Sequence, residues 1–110
     1  MPNFSRNEIV LVKFPFSDLS NSKVRPAVVV SGPHSSRDLF LVPLTSKVSN
    51  LRAGEFILAD WNAAGLNVPS SVKRGIFSLQ ESLVLKSVGK LQDTDVSELN
   101  NSLLFWLDIN

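Results

Sequence analysis

Two short stretches of the chain hold residue types that act together on phosphate esters: Lys23-Val24-Arg25-Pro26 and Pro43-Leu44-Thr45-Ser46-Lys47. Arginine offers a planar fork of donors that engages two phosphate oxygens, lysine a point charge, and threonine or serine a hydroxyl for a further oxygen. To cooperate, the two stretches must meet in space. The turn-forming segment Gly32-Pro33-His34-Ser35-Ser36-Arg37 lies midway between them. A hairpin centred near Ser35, pairing Ser31 with Leu39, sets the sum of paired residue numbers at about 70, which places Arg25 opposite Thr45 or within a residue of it. Pro26 biases Arg25 away from helical angles and so fixes how its side chain leaves the strand. The long loop Pro15 to Lys23 ends beside the same edge. Lys23, Arg25, Thr45, Ser46 and Lys47 then form a cluster of cations and hydroxyls suited to a phosphodiester, provided the register does not slip by one residue and turn Thr45 to the other face.

The rest of the composition narrows the chemistry. With no Cys and one His in 110 residues, thiolate nucleophiles, zinc ribbons and disulfide frameworks are out, and a histidine-rich metal site has almost no material. No metal or other cofactor is expected. At 12.1 kDa residues 1–110 form a single domain. Hydrophobic residues make up 44% and charged residues 19% of the chain, with a mean hydropathy of +0.12, enough to bury a core unaided. The net charge of +1 hides an asymmetry, because all 11 basic residues lie in residues 1–90 while residues 91–110 carry four acids and no base. A basic body and an acidic tail suggest an anionic partner for the body. The N-terminus has no apolar signal region and no apolar run approaches the roughly 18 residues of a membrane span, so a cytoplasmic protein without membrane contact is expected.

The elements that must position the cluster are mostly strands. Glu8 to Phe14 and Val24 to Ser31 are β-branched runs bounded by turn formers, the pattern of strands buried on both faces. Asp38 to Ser46 and Glu55 to Leu58 follow as strands 3 and 4. Pro43 points to an edge, a bulge or a strand end at that position. Val72 to Leu79 and Ser82 to Val88 complete the set. From Asp93 the apolar positions Val96, Leu99, Leu103 and Trp106 or Leu107 recur at helical spacing, with Asp93 or Asp95 as the N-cap. Leu103 to Leu107 is apolar all round, so either the core wraps it or a second subunit covers it. The fold class is mainly β with a C-terminal helix (α+β): a small twisted antiparallel sheet curled toward an SH3-like barrel.

The runs RNEIVLVKFPFSDLSNSKVRPAVVVS, DLFLVPLTSK, DWNAAGL and SVGKL, followed by a terminal helix, resemble the PemK/MazF family of bacterial toxins. The likeness covers nearly the whole chain, and its most specific parts are K-x-R-P at Lys23 to Pro26 and P-L-T-S at Pro43 to Ser46. It implies an SH3-like barrel related to the CcdB gyrase poison, a homodimer, metal-independent endoribonuclease activity on single-stranded RNA, and a cognate antitoxin whose acidic C-terminal segment blocks the RNA groove. By position, the family's catalytic arginine falls on Arg25 and its catalytic threonine on Thr45. Lys23, Ser46 and Lys47 are the RNA-binding candidates beside them. The implied reaction is transesterification by the RNA's own 2′-hydroxyl, for which the protein supplies charge stabilisation and alignment. Where many members carry a first-loop acid this chain has Ser20, Asn21 and Ser22, and no carboxylate base is assigned. The segment holding Lys73 and Arg74 is shorter than the family's usual form.

Two rival readings share the fold: a CcdB-like gyrase-binding poison without nuclease activity, and a degenerate member that binds RNA or antitoxin without turnover. His34 lies at the far end of the hairpin and reads as a surface turn residue. Asp18 reads as ordinary loop sequence, Trp61 as a packing residue or a base-stacking one, and Trp106 as helix core or dimer contact.

Overall fold

The computed structural model describes residues 4–14 and 23–109. Among the described residues seven strands and one α-helix follow in order: β1 (Glu8–Phe14), β2 (Lys23–Val29), β3 (Asp38–Thr45), β4 (Phe56–Ile57), β5 (Ser71–Val72), β6 (Phe77–Gln80), β7 (Lys86–Lys90) and α1 (Asp93–Leu107). The sheet is antiparallel and runs β4-β5-β3-β2-β1-β7, with β6 also paired to β3. Among the described residues β6 and β7 do not pair, so the sheet is twisted and barrel-like but open.

Period-two alternation along β1, β2 and β3 feeds two cores, one on each face of the sheet. Ile9, Val28, Val42 and Leu44 pack with Leu58, Ala64, Val72, Leu91 and the helix residues Leu99 and Leu103. Val10, Val12, Ala27, Val29, Leu39 and Leu41 pack on the opposite side with Phe4, Phe77, Leu79 and Val84. Strands 1 and 2 are thus buried on both faces, as their unbroken apolar runs require.

Three expectations are corrected in detail. Pro43 is neither at an edge nor in a bulge: β2 pairs with it at Ala27, and on the other side of β3 the partner changes from β6, ending at Leu41, to β5, beginning at Leu44. The Pro43 carbonyl accepts the Lys73 N–H at 2.9 Å on that side, so the proline sits where β3 passes from one partner to the other. The single strand expected over 72–79 is two, β5 and β6, because Gly75 at φ +152° turns the chain between them. Glu81–Leu83 is a 3₁₀ turn rather than the start of β7.

Helix α1 is present, but neither aspartate caps it. The N-cap is Gln92, without a side-chain bond, and Asp95 sits one turn in, 2% exposed. Its carboxylate accepts the N–H groups of Ala59 at 2.9 Å and Asp60 at 3.0 Å. The acid at this position therefore ties the segment after β4 to the helix instead of closing the helix's own first turn. At the other end the chain's core covers only part of the apolar surface: Leu103 is buried, while Leu104, Phe105 and Leu107 are about half or more exposed. Among the described residues no helix is long and apolar enough to cross a membrane.

Candidate functional site

The β2–β3 hairpin has the register that the turn position implied, with Ala27 opposite Pro43, Val28 opposite Val42 and Val29 opposite Leu41. Two residues further along the same register stand Arg25 and Thr45. Arg25 is held from the other side by β1, where it pairs with Val12, and Thr45 by β5, where it pairs with Ser71. By alternation Arg25 continues the face of Ala27 and Val29, and Thr45 that of Leu39 and Leu41. They occupy the rung where that apolar face ends, and both are half-buried.

Three hollows meet at this rung. The first is lined by Arg25, Thr45 and Ser46 together with Leu66, Asn67 and Lys86. The second is lined by Arg25, Thr45, Lys47, Lys73 and Arg74, four cations and, among the described residues, no acid. The third runs from Thr45 past Lys47, Lys73 and Arg74 to Arg52, with Glu55 as its single acid among the described residues. Thr45 lines all three. Among the described residues the one side-chain ion pair is Arg37 with Glu81, 3.8 Å apart, so the site's cations stand without acidic partners at ion-pair distance. Uncompensated charge in a set of grooves raises the local concentration of an anionic ligand.

Thr45 is oriented by its own strand end. Its Oγ1 accepts the Lys47 N–H at 3.1 Å, which leaves the hydroxyl proton to donate outward. Lys47 is fixed in turn because its carbonyl accepts the hydroxyl of the fully buried Ser71 at 2.6 Å. The result is a hydroxyl donor on a rigid mount, beside a guanidinium. That pair can bind and polarise a phosphodiester.

Of the residues singled out in the sequence, Arg25, Thr45, Ser46 and Lys47 come together. Lys23 opens β2 with its backbone opposite Phe14. The rest of the long loop expected from Pro15 to Lys23, Asp18 included, falls in residues 15–22, outside the described residues. His34 is exposed in the hairpin turn, its Nδ1 within 2.9 Å of Ser36 Oγ and accepting the Ser36 N–H at 3.0 Å, and it takes no part in the cluster. Trp61 is a packing residue against the first core, and so is Trp106, whose indole N–H donates to the Ala53 carbonyl at 2.9 Å. Sequence reasoning missed Arg52 and Glu55. Their signal was a basic and an acidic residue three apart in the long polar connection from β3 to β4, but nothing in local pattern says where such a loop lies.

Glu55 is bonded on both oxygens: Oε1 accepts the Arg52 N–H at 2.7 Å and Oε2 the Arg74 N–H at 2.8 Å. Partial burial works against its charge, but those two N–H groups and the charges of Arg52 and Lys73 outweigh it and hold the carboxyl below its ordinary range. Among the described residues no three His, Cys, Asp or Glu side chains gather into a cation site.

Comparison with known proteins places the fold. Residues 5–107 match the family model of the PemK-like, MazF-like toxin of type II toxin–antitoxin systems. No curated protein matches the chain in sequence. Among solved structures, the MazE–MazF complex of Deinococcus radiodurans is similar at TM-score 0.79 and 17% identity, covering 100% of both chains. An endoribonuclease bound to its cognate antitoxin, from a mycobacterial species, is similar at TM-score 0.78 and 15% identity, covering 100% of this chain and 98% of that one. The Mycobacterium tuberculosis toxin MazF-mt6 is similar at TM-score 0.72 and 18% identity, covering 94% and 98%. At these identities the likeness is one of fold.

Proposed function

The chain belongs to the PemK-like, MazF-like toxin family of type II toxin–antitoxin systems, and from that premise we propose that it is an endoribonuclease acting on single-stranded RNA, with Arg25 and Thr45 as its catalytic residues. The observation that carries the reading is the placement of Arg25 and Thr45 on one rung, lining a hollow with three further cations and, among the described residues, no acid. The RNA's 2′-hydroxyl loses its proton as its oxygen attacks the adjacent phosphorus, the bond to the 5′-oxygen breaks, and that oxygen takes up a proton, so that none is gained or lost overall. The products are a 2′,3′-cyclic phosphate and a 5′-hydroxyl. Arg25 stabilises the charge that builds on the non-bridging oxygens, and Thr45 donates to one of them, which aligns the phosphate for attack. Ser46 adds a neighbouring hydroxyl, while Lys23, Lys47, Lys73 and Arg74 bind the flanking phosphates. The nuclease needs no cofactor and works in the cytoplasm as one domain over residues 1–110. An acidic C-terminal segment of a cognate antitoxin competes for the same cations. Nothing in the site favours a gyrase-binding poison.

The test is cleavage by the purified chain in excess EDTA. Single-stranded RNA is expected to be cut and duplex RNA of the same sequence spared, with cyclic-phosphate and 5′-hydroxyl ends. Complete dependence on an added divalent ion, or 5′-phosphate ends, would refute the mechanism, and binding without cleavage would make the chain a degenerate member.

The functional particle is a homodimer. Leu104, Leu107 and Ile109 form an apolar groove with Phe40 and Ile76, and Phe105 next to them is 62% exposed. An isologous contact buries this surface twice over. Light scattering at micromolar concentration is expected to give about twice the 12.1 kDa of the chain. A monomer that remains fully active at high concentration would refute the dimer.

A further inference from the structure

We propose that Glu55 is a positioning residue for RNA binding: by holding the N–H groups of Arg52 and Arg74 on its two oxygens, it fixes where those cations and Lys73 stand around the hollow beside Thr45. The inference rests on the ribonuclease reading and adds to it a residue that touches no RNA itself.

Arg52 and Arg74 lie on separate segments, the connection from β3 to β4 and the short link between β5 and β6. Glu55 bridges the two. Its own position is set from behind, because the Ser102 hydroxyl donates to the Gly54 carbonyl at 2.6 Å and the Trp106 indole to the Ala53 carbonyl at 2.9 Å. The Glu55 N–H also donates to the Arg52 carbonyl at 2.9 Å. Helix α1 thus anchors the loop, the loop presents the carboxylate, and the carboxylate registers the backbone that carries the cations.

Among the described residues Glu55 is the only acid lining the three hollows, and it is not built as a proton acceptor. Both oxygens are already engaged by backbone N–H groups, and the carboxyl is held below its ordinary range, which makes its conjugate base weak. A carboxylate facing an RNA groove would repel phosphates unless its charge were used elsewhere. Here it is spent on two N–H groups, and the guanidinium groups of Arg52 and Arg74 remain without an acid at ion-pair distance among the described residues.

The experiment compares the parent with Glu55→Gln, whose amide supplies one acceptor where two are needed. Binding is measured with a single-stranded oligonucleotide carrying 2′-O-methyl groups throughout, which removes the nucleophile, and turnover with the unmodified RNA. The Kd and the KM are expected to rise together by about tenfold, with kcat within about twofold, and the slope of log Kd against log salt to shrink by about one. Arg74→Ala, which keeps the main-chain N–H but removes the guanidinium, is expected to raise the Kd by a similar factor, and Glu55→Gln to add less in that background than it does alone, since the RNA contact of Arg74 is already gone and only Arg52 and Lys73 are left to be displaced. A fall in kcat at unchanged KM, in a variant whose folded fraction matches that of the parent, overturns the proposal. Full additivity with Arg74→Ala also overturns it. Should Glu55→Gln fold poorly, Glu55→Asp, which keeps the charge but shortens the reach, is read by the same criteria. A parent that neither binds nor cuts RNA overturns the ribonuclease reading as well; an active parent matched by its variants overturns this proposal alone.

Discussion

Replacing Arg25 by alanine is expected to slow RNA cleavage by about 10²- to 10³-fold, the usual cost of removing one preorganised donor at a developing oxyanion. The melting temperature should stay within a few degrees of the parent, because Arg25 is half-buried at the rung where the apolar face ends and belongs to neither core. The loss should appear in kcat and in kcat/KM alike, as for an interaction strongest in the transition state. Thr45→Val keeps the shape of the side chain and its strand preference but removes the hydroxyl that Lys47 orients, and should also lose at least about tenfold. Thr45→Ser, which restores the hydroxyl, should recover most of it. His34→Ala is the control, since His34 bonds only within its own turn. A His34 variant as damaged as Arg25→Ala would mean that the hairpin turn folds back to the site, and the assignment of Arg25 and Thr45 would fall.

That pair was legible in the sequence because the hairpin turn is short and local. The turn formers between Ser31 and Asp38 leave one register in which both strands bury alternate residues, and the observed pairing of Val29 with Leu41 is that register. The terminal helix was legible for a similar reason, its apolar residues recurring at a single period from Val96 to Leu107. The capping residue was not, because Asp95 is engaged by Ala59 and Asp60, over thirty residues away, and a tertiary partner overrides a local preference. Gly75 likewise looked like a residue within one strand. Only the change of partner along β3, from β6 to β5 around Pro43, explains why the chain must turn there. Lys73 and Arg74 reach the site by that turn. Arg52 and Glu55 reach it by a loop whose path is decided by Ser102 and Trp106 on the helix, a constraint that no window around residue 55 contains.

The largest effect on stability is expected where β7 crosses the turn before residue 66. A Cβ added at Gly89 would fall on the Ala64 carbonyl oxygen, and one added at Gly65, whose φ is +101°, would lie 2.5 Å from the Val88 carbonyl oxygen. Neither backbone is free to withdraw. On one side Gly89 pairs with Ile9 and the Leu91 N–H donates to the Asn7 carbonyl at 2.9 Å. On the other, the Ala64 N–H donates to the Asp60 carbonyl at 3.0 Å, and Asp60 is held by the buried carboxylate of Asp95. Gly89→Ala should therefore cost about 3 kcal/mol or more, the upper range for overpacking where the obstacle is main chain rather than a flexible side chain. Gly65 and Leu66 line a hollow with Arg25 and Thr45, so whatever fraction of the variant stays folded should also bind RNA less well. Gly32→Ala is the matched control: a Cβ there meets nothing within 4 Å, and its stability should stay within about 1 kcal/mol of the parent. Urea unfolding of the three proteins measures the difference directly. A Gly89→Ala midpoint equal to that of Gly32→Ala would show that β7 and the turn do not touch, and would detach that wall of the site from the helix that is inferred to hold it.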